Sequence, residues 1–356
     1  MKASRWPKAL FVVFFRREPT PAPPSASSSE LMLHIGLRKT GSSYLQSMFA
    51  LNREALAQLG VDYPRPASAA HAEAGLTSSG NAPSRRIHKV LRAARKVDTP
   101  LERILYSREQ LSEEVVQLLS SSNGRAAFKE MLEFKGRPLR VVFFIVIRDP
   151  LEWAFSKYQQ SVKHDRVTAS LNDWLSSDAA LFQEGLAESV AWLRNNGVDV
   201  RILNYSRHKN TLWASSLKAL SIPNVGEWVE PPIRMVNRSL TAGELRIQRI
   251  ANSLEGWEPE EIFANGFLAR NTDAPRGIPA LTEEAYEQFV RRATPLIDAL
   301  NDVVAESERL ELGPYDPAWS QAFEEEQRNG VFLDDSALNA LIKSLRDRLV
   351  KYPRYD

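Results

Sequence analysis

The stretch Leu31-Met-Leu-His-Ile-Gly-Leu-Arg-Lys-Thr-Gly-Ser-Ser43 is the most informative part of this chain. Its first five residues are apolar apart from His34 and predict a buried β-strand. A turn flanked by Gly36 and Gly41 follows, and the sequence from Ser42 onward has the apolar spacing of an amphipathic helix. Such a turn aims backbone N–H groups and a helix N-terminus at one spot, which favours binding of an anion.

The spacing of the two glycines resembles the phosphate-binding loop of nucleoside triphosphatases, G-x-x-x-x-G-K-[ST]. In that loop the lysine follows the second glycine, whereas here Ser42 follows Gly41 and Lys39 precedes it by two residues. The displaced lysine points away from ATP hydrolysis and towards another anionic donor. Taken alone, the stretch has a second interpretation, a glycine turn before a capped helix that binds no ligand.

The composition of the whole chain is that of a globular protein with a substantial core. Of its 356 residues, 43% are hydrophobic and 25% are charged, and the formal net charge is +2. This charge gives no whole-molecule argument for binding nucleic acid, so anion recognition is expected to be local. Cysteine is absent, and the five histidines lack metal-ligand spacing, so the sequence predicts no metal site.

Residues 1–29 differ in composition from the rest of the chain and are predicted to be a disordered extension. The apolar run Ala9–Phe15 is too short to span a bilayer. Pro19–Ser29 is rich in Pro, Ala and Ser, as extended linkers are. We expect a cytoplasmic protein without an integral membrane segment. Weak membrane association or export through the apolar run is the alternative.

Strands alternate with helices through the middle of the chain, which is typical of an α/β fold with a mostly parallel central sheet and flanking helices. We predict an α/β core at residues 30–240 and a mainly helical C-terminal part at 241–356, packed on the core. Residues 65–84 are rich in Ala, Ser, Gly and Pro and are expected to form a mobile surface loop. The predicted strands after the first are Arg103–Ser107, Arg140–Ile147 and Val198–Tyr205, and the main predicted helices are Ser42–Leu59, Arg85–Lys96, 150–164 and 179–195.

A second motif follows the most apolar strand. The sequence Arg148-Asp-Pro-Leu-Glu-Trp-Ala-Phe-Ser-Lys-Tyr158 places Arg148 at the carboxyl end of a central strand, where open α/β sheets bind ligands. The planar guanidinium of an arginine suits a phosphate. Ser156 lies about two helical turns further and is expected to donate to the same group.

Together the two motifs resemble those of sulfotransferases that use 3′-phosphoadenosine 5′-phosphosulfate (PAPS) as donor. The shared pattern is Lys-x-Gly-[Ser/Thr]-[Ser/Thr] after the first strand and Arg-x-Pro-(x)5-Ser-x-Tyr after a later one. The resemblance covers roughly residues 31–240 and implies a P-loop-like sulfotransferase fold, PAPS as donor and no required metal. It further implies that the basic first loop binds the 5′-phosphosulfate, through Arg38, Lys39, Thr40, Gly41, Ser42 and Ser43.

In the same family the arginine and serine of the second motif bind the 3′-phosphate, a role that falls here on Arg148 and Ser156. Tyr205 resembles a tyrosine that ends a later strand near the nucleotide. Arg238, in Asn237-Arg-Ser-Leu240, resembles part of a basic loop that closes over the 3′-phosphate end, although the family's Arg-Lys-Gly version is absent. The acceptor implied is a hydroxyl or amine of a glycan, lipid or small molecule, and neither it nor the oligomeric state is specified.

Sulfuryl transfer needs a base for the acceptor's proton. Lys39 is the expected charge stabiliser, and Glu109 is the first choice for the base, because glutamate occupies a comparable position after a strand in some glycan sulfotransferases. A solvated carboxylate in the first turn of a helix is the alternative reading of Glu109. His71 and His164 are rival bases. His34 lies within a strand and is expected to be a hydrogen-bonded core residue.

Two further hypotheses remain beside this one. A P-loop kinase is supported by the glycine spacing and by Asp149, which could imitate a magnesium-binding aspartate, although Asp149 before Pro150 is better explained as a helix N-cap. A non-catalytic nucleotide-binding module is the other, because fold does not determine function. The cations of the helix at 85–96 are interpreted as an ordinary solvated face, with recruitment of an anionic acceptor as the alternative.

Overall fold

The computed structural model describes residues 29–66, 69–75, 80–96, 101–133, 139–182, 184–232, 239–253 and 277–329. Five parallel strands form one central sheet in the order β2-β3-β1-β4-β5, which confirms the predicted α/β class. The strands are β1 Ser29–His34, β2 Val61–Asp62, β3 Arg103–Ser107, β4 Leu139–Ile147 and β5 Asp199–Asn204.

Helices cover both faces of this sheet. They are α1 Ser42–Leu51, α2 Arg53–Gln58, α3 Ala69–Glu73, α4 Ile87–Ala94, α5 Leu111–Leu119, α6 Ser122–Glu133, α7 Pro150–His164, α8 Leu171–Leu175, α9 Leu186–Asn195, α10 Tyr205–His208, α11 Leu212–Ala219, α12 Ala242–Asn252, α13 Glu283–Asn301 and α14 Pro317–Asn329. Short 3₁₀ turns lie at Asp178–Ala180 and Glu306–Glu308. None of the helices described is long and apolar enough to cross a membrane.

The interior strand β4 is apolar and buried from Val141 to Ile147 because helices cover both faces of the sheet. Successive side chains of a strand point to opposite faces, and β4 divides accordingly between two hydrophobic cores. Phe143 and Ile145 pack on one face, beneath α7 and α5. Phe144 and Val146 pack on the other face, beneath α1 and α11.

The helices that follow β1 and β4 leave the sheet on opposite faces. After β1, α1 packs through Leu45 and Met48 in the second core. After β4, α7 packs through Leu151 and Tyr158 in the first core. Because β1 and β4 are neighbours, this divergence opens a crevice beyond their carboxyl ends, where open α/β sheets bind ligands.

The described C-terminal helices extend the first core. Phe289, Ala293, Ile297 and Leu300 of α13 are buried in the same cluster as the side chains beneath α7. Thr241 caps α12 by accepting a hydrogen bond from the backbone N–H of Glu244 in a capping box. The described residues after 240 are therefore mainly helical, and α13 packs on the first core.

Several predicted element bounds were wrong. The predicted helix Ser42–Leu59 is broken at Asn52, whose side chain donates to the carbonyl oxygens of Met48 and Val229. Residues 65–84 are not simply a mobile loop, because α3 lies within them and residues 80–82 are buried. The predicted helix at 85–96 is shorter, and the one at 179–195 begins only at Leu186.

Candidate functional site

The turn between β1 and α1 begins against the backbone of β4. The Ile35 N–H donates to the Phe144 carbonyl at 3.0 Å, and the Leu37 N–H donates to the Val146 carbonyl at 2.9 Å. A Cβ at Gly36 would lie only 2.8 Å from the backbone nitrogen of Val146. Glycine is therefore required here, since it lets the chain run along β4 into the turn.

The far end of the turn is left-handed at two positions. Lys39 has φ 68° and Gly41 has φ 83°. A left-handed conformation costs a residue with a side chain about 1–2 kcal/mol, and at Lys39 it is held by tertiary contacts. At Gly41 a Cβ would lie 2.6 Å from Leu212 Cδ2 and 2.9 Å from Tyr205 Cε2, so this position too requires glycine.

The three hydroxyl residues of the turn have different surroundings. The Thr40 hydroxyl is buried and donates to the Leu37 carbonyl at 2.6 Å, so it braces the turn. The Ser42 hydroxyl is buried without a hydrogen bond of normal geometry. Ser43 is half-buried in the first turn of α1, and the N-cap residue Gly41 has no side chain with which to cap that helix. Ser42 is thus the hydroxyl with unused hydrogen-bonding capacity.

Glu109, the predicted base, lies beside the predicted lysine. Burial raises the pKa of the Glu109 carboxyl, while a hydrogen bond from the Ser42 side chain and the charges of Arg38 and Lys39 oppose the rise. The Ser42 hydroxyl lies beside the Glu109 carboxyl but makes no hydrogen bond of normal length and geometry. The structure therefore brings together the lysine, the serine and the glutamate that sequence reasoning assigned to one site.

Lys39 lies in a strongly cationic environment. Burial lowers the pKa of its ammonium, Arg148, Lys157 and Arg38 lower it further, and Glu109 opposes them. Among the described residues its ammonium makes no ion pair within 4 Å. A partly desolvated lysine surrounded by other cations is an unfavourable arrangement that an incoming anion would relieve.

Arg148 joins the second motif to the first. Its Nη1 donates to the carbonyl oxygen of Lys39 at 2.9 Å. Its guanidinium carbon lies 5.1 Å from the centre of the Tyr205 ring, within the range of a cation–π contact. Tyr205 also packs against Gly41, so the tyrosine predicted to lie near the nucleotide supports both motifs.

Arg38 lies at the outer side of the turn. Its carbonyl oxygen accepts a hydrogen bond of 2.9 Å from the Trp153 indole. Its Nε lies 3.2 Å from Glu113 Oε1, close enough for an ion pair but too poorly aligned for a hydrogen bond. The backbone of Arg38 is therefore fixed by α7, while its side chain turns towards α5.

A cluster behind Arg148 was missed by sequence reasoning. Glu152 Oε2 lies 3.4 Å from Arg148 Nε and accepts from Ser206 Oγ at 3.0 Å, and Glu152 Oε1 accepts from Lys209 Nζ at 2.6 Å. Although burial raises the pKa of Glu152, the Lys209 hydrogen bond and the charges of Lys209 and Arg148 hold it below its ordinary value. Glu152 is the counter-ion that orients Arg148. The sequence carried one signal of this contact, because Glu152 lies four residues after Arg148 and such a pair can meet on one side of a helix.

Ser156 and Arg238 are less well placed. Ser156 lies half-buried on α7, four residues beyond Glu152 and so on the same side of the helix. Among the contacts described it makes none with Arg148. Arg238 lies outside the described residues.

Comparison with known proteins gives no family assignment. No protein-family model and no curated protein matches this chain. The site itself combines a cationic turn that requires glycine, an arginine fixed to that turn, and a buried glutamate beside the lysine.

The histidines and Asp149 take structural positions or lie apart from this cluster. His34 is buried, its Nδ1 lies 2.8 Å from Ser107 Oγ, and burial lowers its pKa to about 4. It is the core residue that the sequence predicted. His71 lies in the last turn of the short helix α3, and His164 is exposed at the end of α7.

Asp149 is the N-cap residue of α7, as predicted, but its side chain makes no capping hydrogen bond. Its Oδ1 accepts instead from Asn204 Nδ2 at 3.0 Å and from the Glu311 backbone N–H at 3.1 Å. The carboxylate therefore ties the end of β5 to the segment before α14. This cross-link was not visible in the local sequence because Glu311 is distant along the chain.

A cleft in the described part of the chain lies away from Lys39 and Glu109. It encloses about 50 Å³ and lies between α7 and α12. Phe155 and Leu245 contribute apolar walls, and Arg249 is engaged with Glu326 at 3.3 Å. Lys39, Glu109 and Arg148 do not line this cleft, so the cationic turn is the candidate functional site.

Proposed function

We propose that this protein is a sulfotransferase that moves a sulfuryl group from PAPS to a hydroxyl or amine of an acceptor. The observation that carries the proposal is the convergence of Lys39, Glu109 and Arg148 at the crevice between β1 and β4. A charge stabiliser, a base and a phosphate-binding fork are the groups that such a transfer requires.

The residues of the crevice fit an anionic nucleotide. The Ser42 hydroxyl has no hydrogen bond of normal geometry, and the backbone at Gly36 and Gly41 leaves no room for a side chain. Lys39 would bind the 5′-phosphosulfate with Ser42, Ser43 and the backbone N–H groups of the turn. Arg148 would bind the 3′-phosphate, with Ser156 and Arg238 as the further ligands that the family resemblance implies.

The donor would supply an activated sulfuryl group, whose S–O bond to the 5′-phosphate breaks as a bond from sulfur to the acceptor atom forms. Lys39 would stabilise the charge left on the phosphate oxygen. Glu109 would take the proton released by the acceptor, and its raised pKa brings it closer to the value of an effective base near neutrality. Arg148 would contribute by holding the turn and the donor in line.

A P-loop kinase is the main rival. Asp149 is the residue that would bind magnesium in a kinase. One of its carboxylate oxygens already accepts two hydrogen bonds from the protein. The position that a phosphate-binding loop reserves for lysine is held by Ser42. Both observations favour sulfuryl over phosphoryl transfer.

Thermal shift measurements separate the two hypotheses. We expect adenosine 3′,5′-bisphosphate without magnesium to raise the melting temperature, and ATP with magnesium to raise it far less. Stabilisation by magnesium ATP alone would overturn the donor assignment. A non-catalytic module would bind the bisphosphate yet transfer no sulfate from labelled PAPS to a panel of glycans, lipids and small hydroxyl compounds.

A further inference from the structure

Four cations in and around α4 are exposed, and none of them pairs with a carboxylate within the part of the chain that the structure describes. We call Arg85, Lys89, Arg92 and Lys96 the cationic stripe. Exposed cations elsewhere in the described chain are often paired, as Lys129, Arg291 and Arg328 are with glutamates four residues away. Within the residues described, no ion pair within 4 Å involves any of the four side chains of the stripe.

The apolar side of α4 is fully used in the core. Ile87, Val90 and Leu91 have no exposed surface, and Ala94 has almost none. A helix that binds a membrane surface needs a free apolar face to insert, and α4 has none to offer. Nor does α4 carry a Phe, Tyr or Trp side chain on which nucleic acid bases could stack, its one ring being that of the exposed His88. The stripe therefore suits a water-soluble polyanion.

The stripe begins beside the candidate site. The backbone N–H groups of Asn81 and Ala82 donate to the Ser107 carbonyl at the end of β3, at 3.1 and 3.4 Å. The Ile87 N–H donates to the Glu114 carboxylate on α5, which fixes the start of α4. Ser107 lies two residues before Glu109, so α4 starts close to the predicted base.

Two arginines link the stripe to that base. Arg108 precedes Glu109, and its backbone N–H donates to the His34 carbonyl at 2.9 Å, which fixes it at the end of β1. Burial and the nearby charge of Arg85 lower the pKa of Arg108. Arg85 and Arg108 thus form a cationic connection from the stripe to Glu109.

We propose that the stripe binds a polyanionic acceptor, a sugar chain bearing carboxylate or sulfate groups, and guides one of its hydroxyl or amine groups towards Glu109. This proposal rests on the proposed sulfotransferase function and names the acceptor class that the function leaves open. Repeated negative charges along such a chain are complementary to the unpaired cations. Removing those cations weakens binding of the chain without altering the donor site.

The test uses dextran sulfate as the probe and uncharged dextran as its neutral counterpart. The variant Lys89→Gln/Arg92→Gln/Lys96→Gln removes three stripe charges. The control Lys129→Gln/Arg291→Gln/Arg328→Gln removes the same number of exposed charges from other helices. Binding is measured at several salt concentrations, together with the melting temperature of each variant with adenosine 3′,5′-bisphosphate.

We expect dextran sulfate to bind the wild-type protein in a salt-sensitive manner, and its Kd to rise about tenfold in the stripe variant and less than about twofold in the control. Equal weakening in both variants, or no binding to the wild-type protein, overturns the proposal. Stripe-dependent binding of phosphatidylserine vesicles or duplex DNA that exceeds binding of dextran sulfate also overturns it. Should the triple variant fail to fold, Lys89→Gln tests the same effect at smaller amplitude.

The two proposals fail in different measurements. If the bisphosphate does not stabilise the wild-type protein, the sulfotransferase assignment fails whatever dextran sulfate does. If the bisphosphate stabilises both variants equally but dextran sulfate does not distinguish them, only the acceptor class is wrong.

Discussion

Arg148 donates a hydrogen bond of 2.9 Å from its Nη1 to the backbone carbonyl of Lys39. The two residues are 109 positions apart in the chain, and each belongs to one of the two motifs that the sequence suggested. The bond holds a left-handed lysine in place from the side of β4. Arg148 therefore shapes the anion-binding turn as well as offering its own charge.

Arg148→Lys is expected to weaken binding of adenosine 3′,5′-bisphosphate by about ten- to a hundredfold, the range of one or two charge-assisted hydrogen bonds. Lysine keeps the charge but loses the planar fork that reaches the Lys39 carbonyl and stacks on Tyr205. Isothermal titration calorimetry measures the change. The control Arg140→Lys alters an exposed arginine paired with Glu30 and Asp199 and should leave Kd unchanged. Equal losses in both variants would contradict the role of Arg148.

Gly41→Ala is expected to abolish bisphosphate binding and to lower the free energy of unfolding by more than 1 kcal/mol. Part of this is the left-handed backbone, which costs alanine about 1–2 kcal/mol. The rest comes from the clash of the new Cβ with Leu212 and Tyr205. Gly60 is the matched control, because its φ of 79° is similar but no atom lies within 4 Å of its added Cβ. Chemical denaturation measures the free energy of unfolding of both variants. Equal decreases would mean that the side chains around Gly41 move to accommodate the new Cβ without destabilising the protein.

The sequence was sufficient for the fold because the relevant signals are local. The apolar run of β4 predicts a strand covered on both faces, and Pro150 with the stripe of apolar residues after it predicts α7 with both of its ends. Glu109 was proposed for the site by resemblance, because a glutamate follows a strand at a comparable position in some glycan sulfotransferases. Helix breaks were less predictable, since the interruption at Asn52 depends on hydrogen bonds to distant Val229.

The details of the site that were missed depend on tertiary contacts. Lys209 follows a different strand from Glu152, so no local pattern indicates that they meet at 2.6 Å. The sequence identified Asp149 as the N-cap residue of α7, but did not indicate that its Oδ1 would accept hydrogen bonds from Asn204 and Glu311 instead of capping the helix. Polar side chains near a sheet edge have several possible partners, and packing decides among them.

His34 is expected to make the protein lose stability in mild acid. Its folded pKa of about 4 lies below the ordinary value of 6.5, because burial disfavours the charged form. The unfolded chain therefore binds the proton more tightly. The contribution of neutral His34 to the free energy of unfolding is fully present above pH 6.5. It falls by up to about 3 kcal/mol as the pH drops towards 4. Denaturant titrations at pH 7.5 and 4.5 should show a smaller difference for His34→Gln than for the wild-type protein, and an equal difference would assign the acid sensitivity to other groups.

Glu109→Gln is expected to lower sulfate transfer by about 10²- to 10⁴-fold, the usual contribution of a general base. The same change should raise the free energy of unfolding at pH 8. Burial raises the folded pKa of Glu109 above its ordinary value, so the folded state binds the proton more tightly than the unfolded state. The contribution of Glu109 to the stability of the protein is fully present below its ordinary pKa. It is lost as the pH rises through its folded pKa. Glutamine avoids that loss because it never ionises.

The opposite directions of the two effects identify a functional residue. A carboxylate retained only for stability should destabilise the protein when it is replaced, whereas a buried base is retained at a cost to stability. Turnover with labelled PAPS and denaturation at pH 5 and pH 8 measure both effects. Glu188→Gln is the control, since this exposed carboxylate pairs only loosely with Arg125, and both quantities should be unchanged. Loss of stability in Glu109→Gln at pH 8 would show that the attraction between Glu109 and Lys39 outweighs burial, and normal turnover would assign the base to another residue.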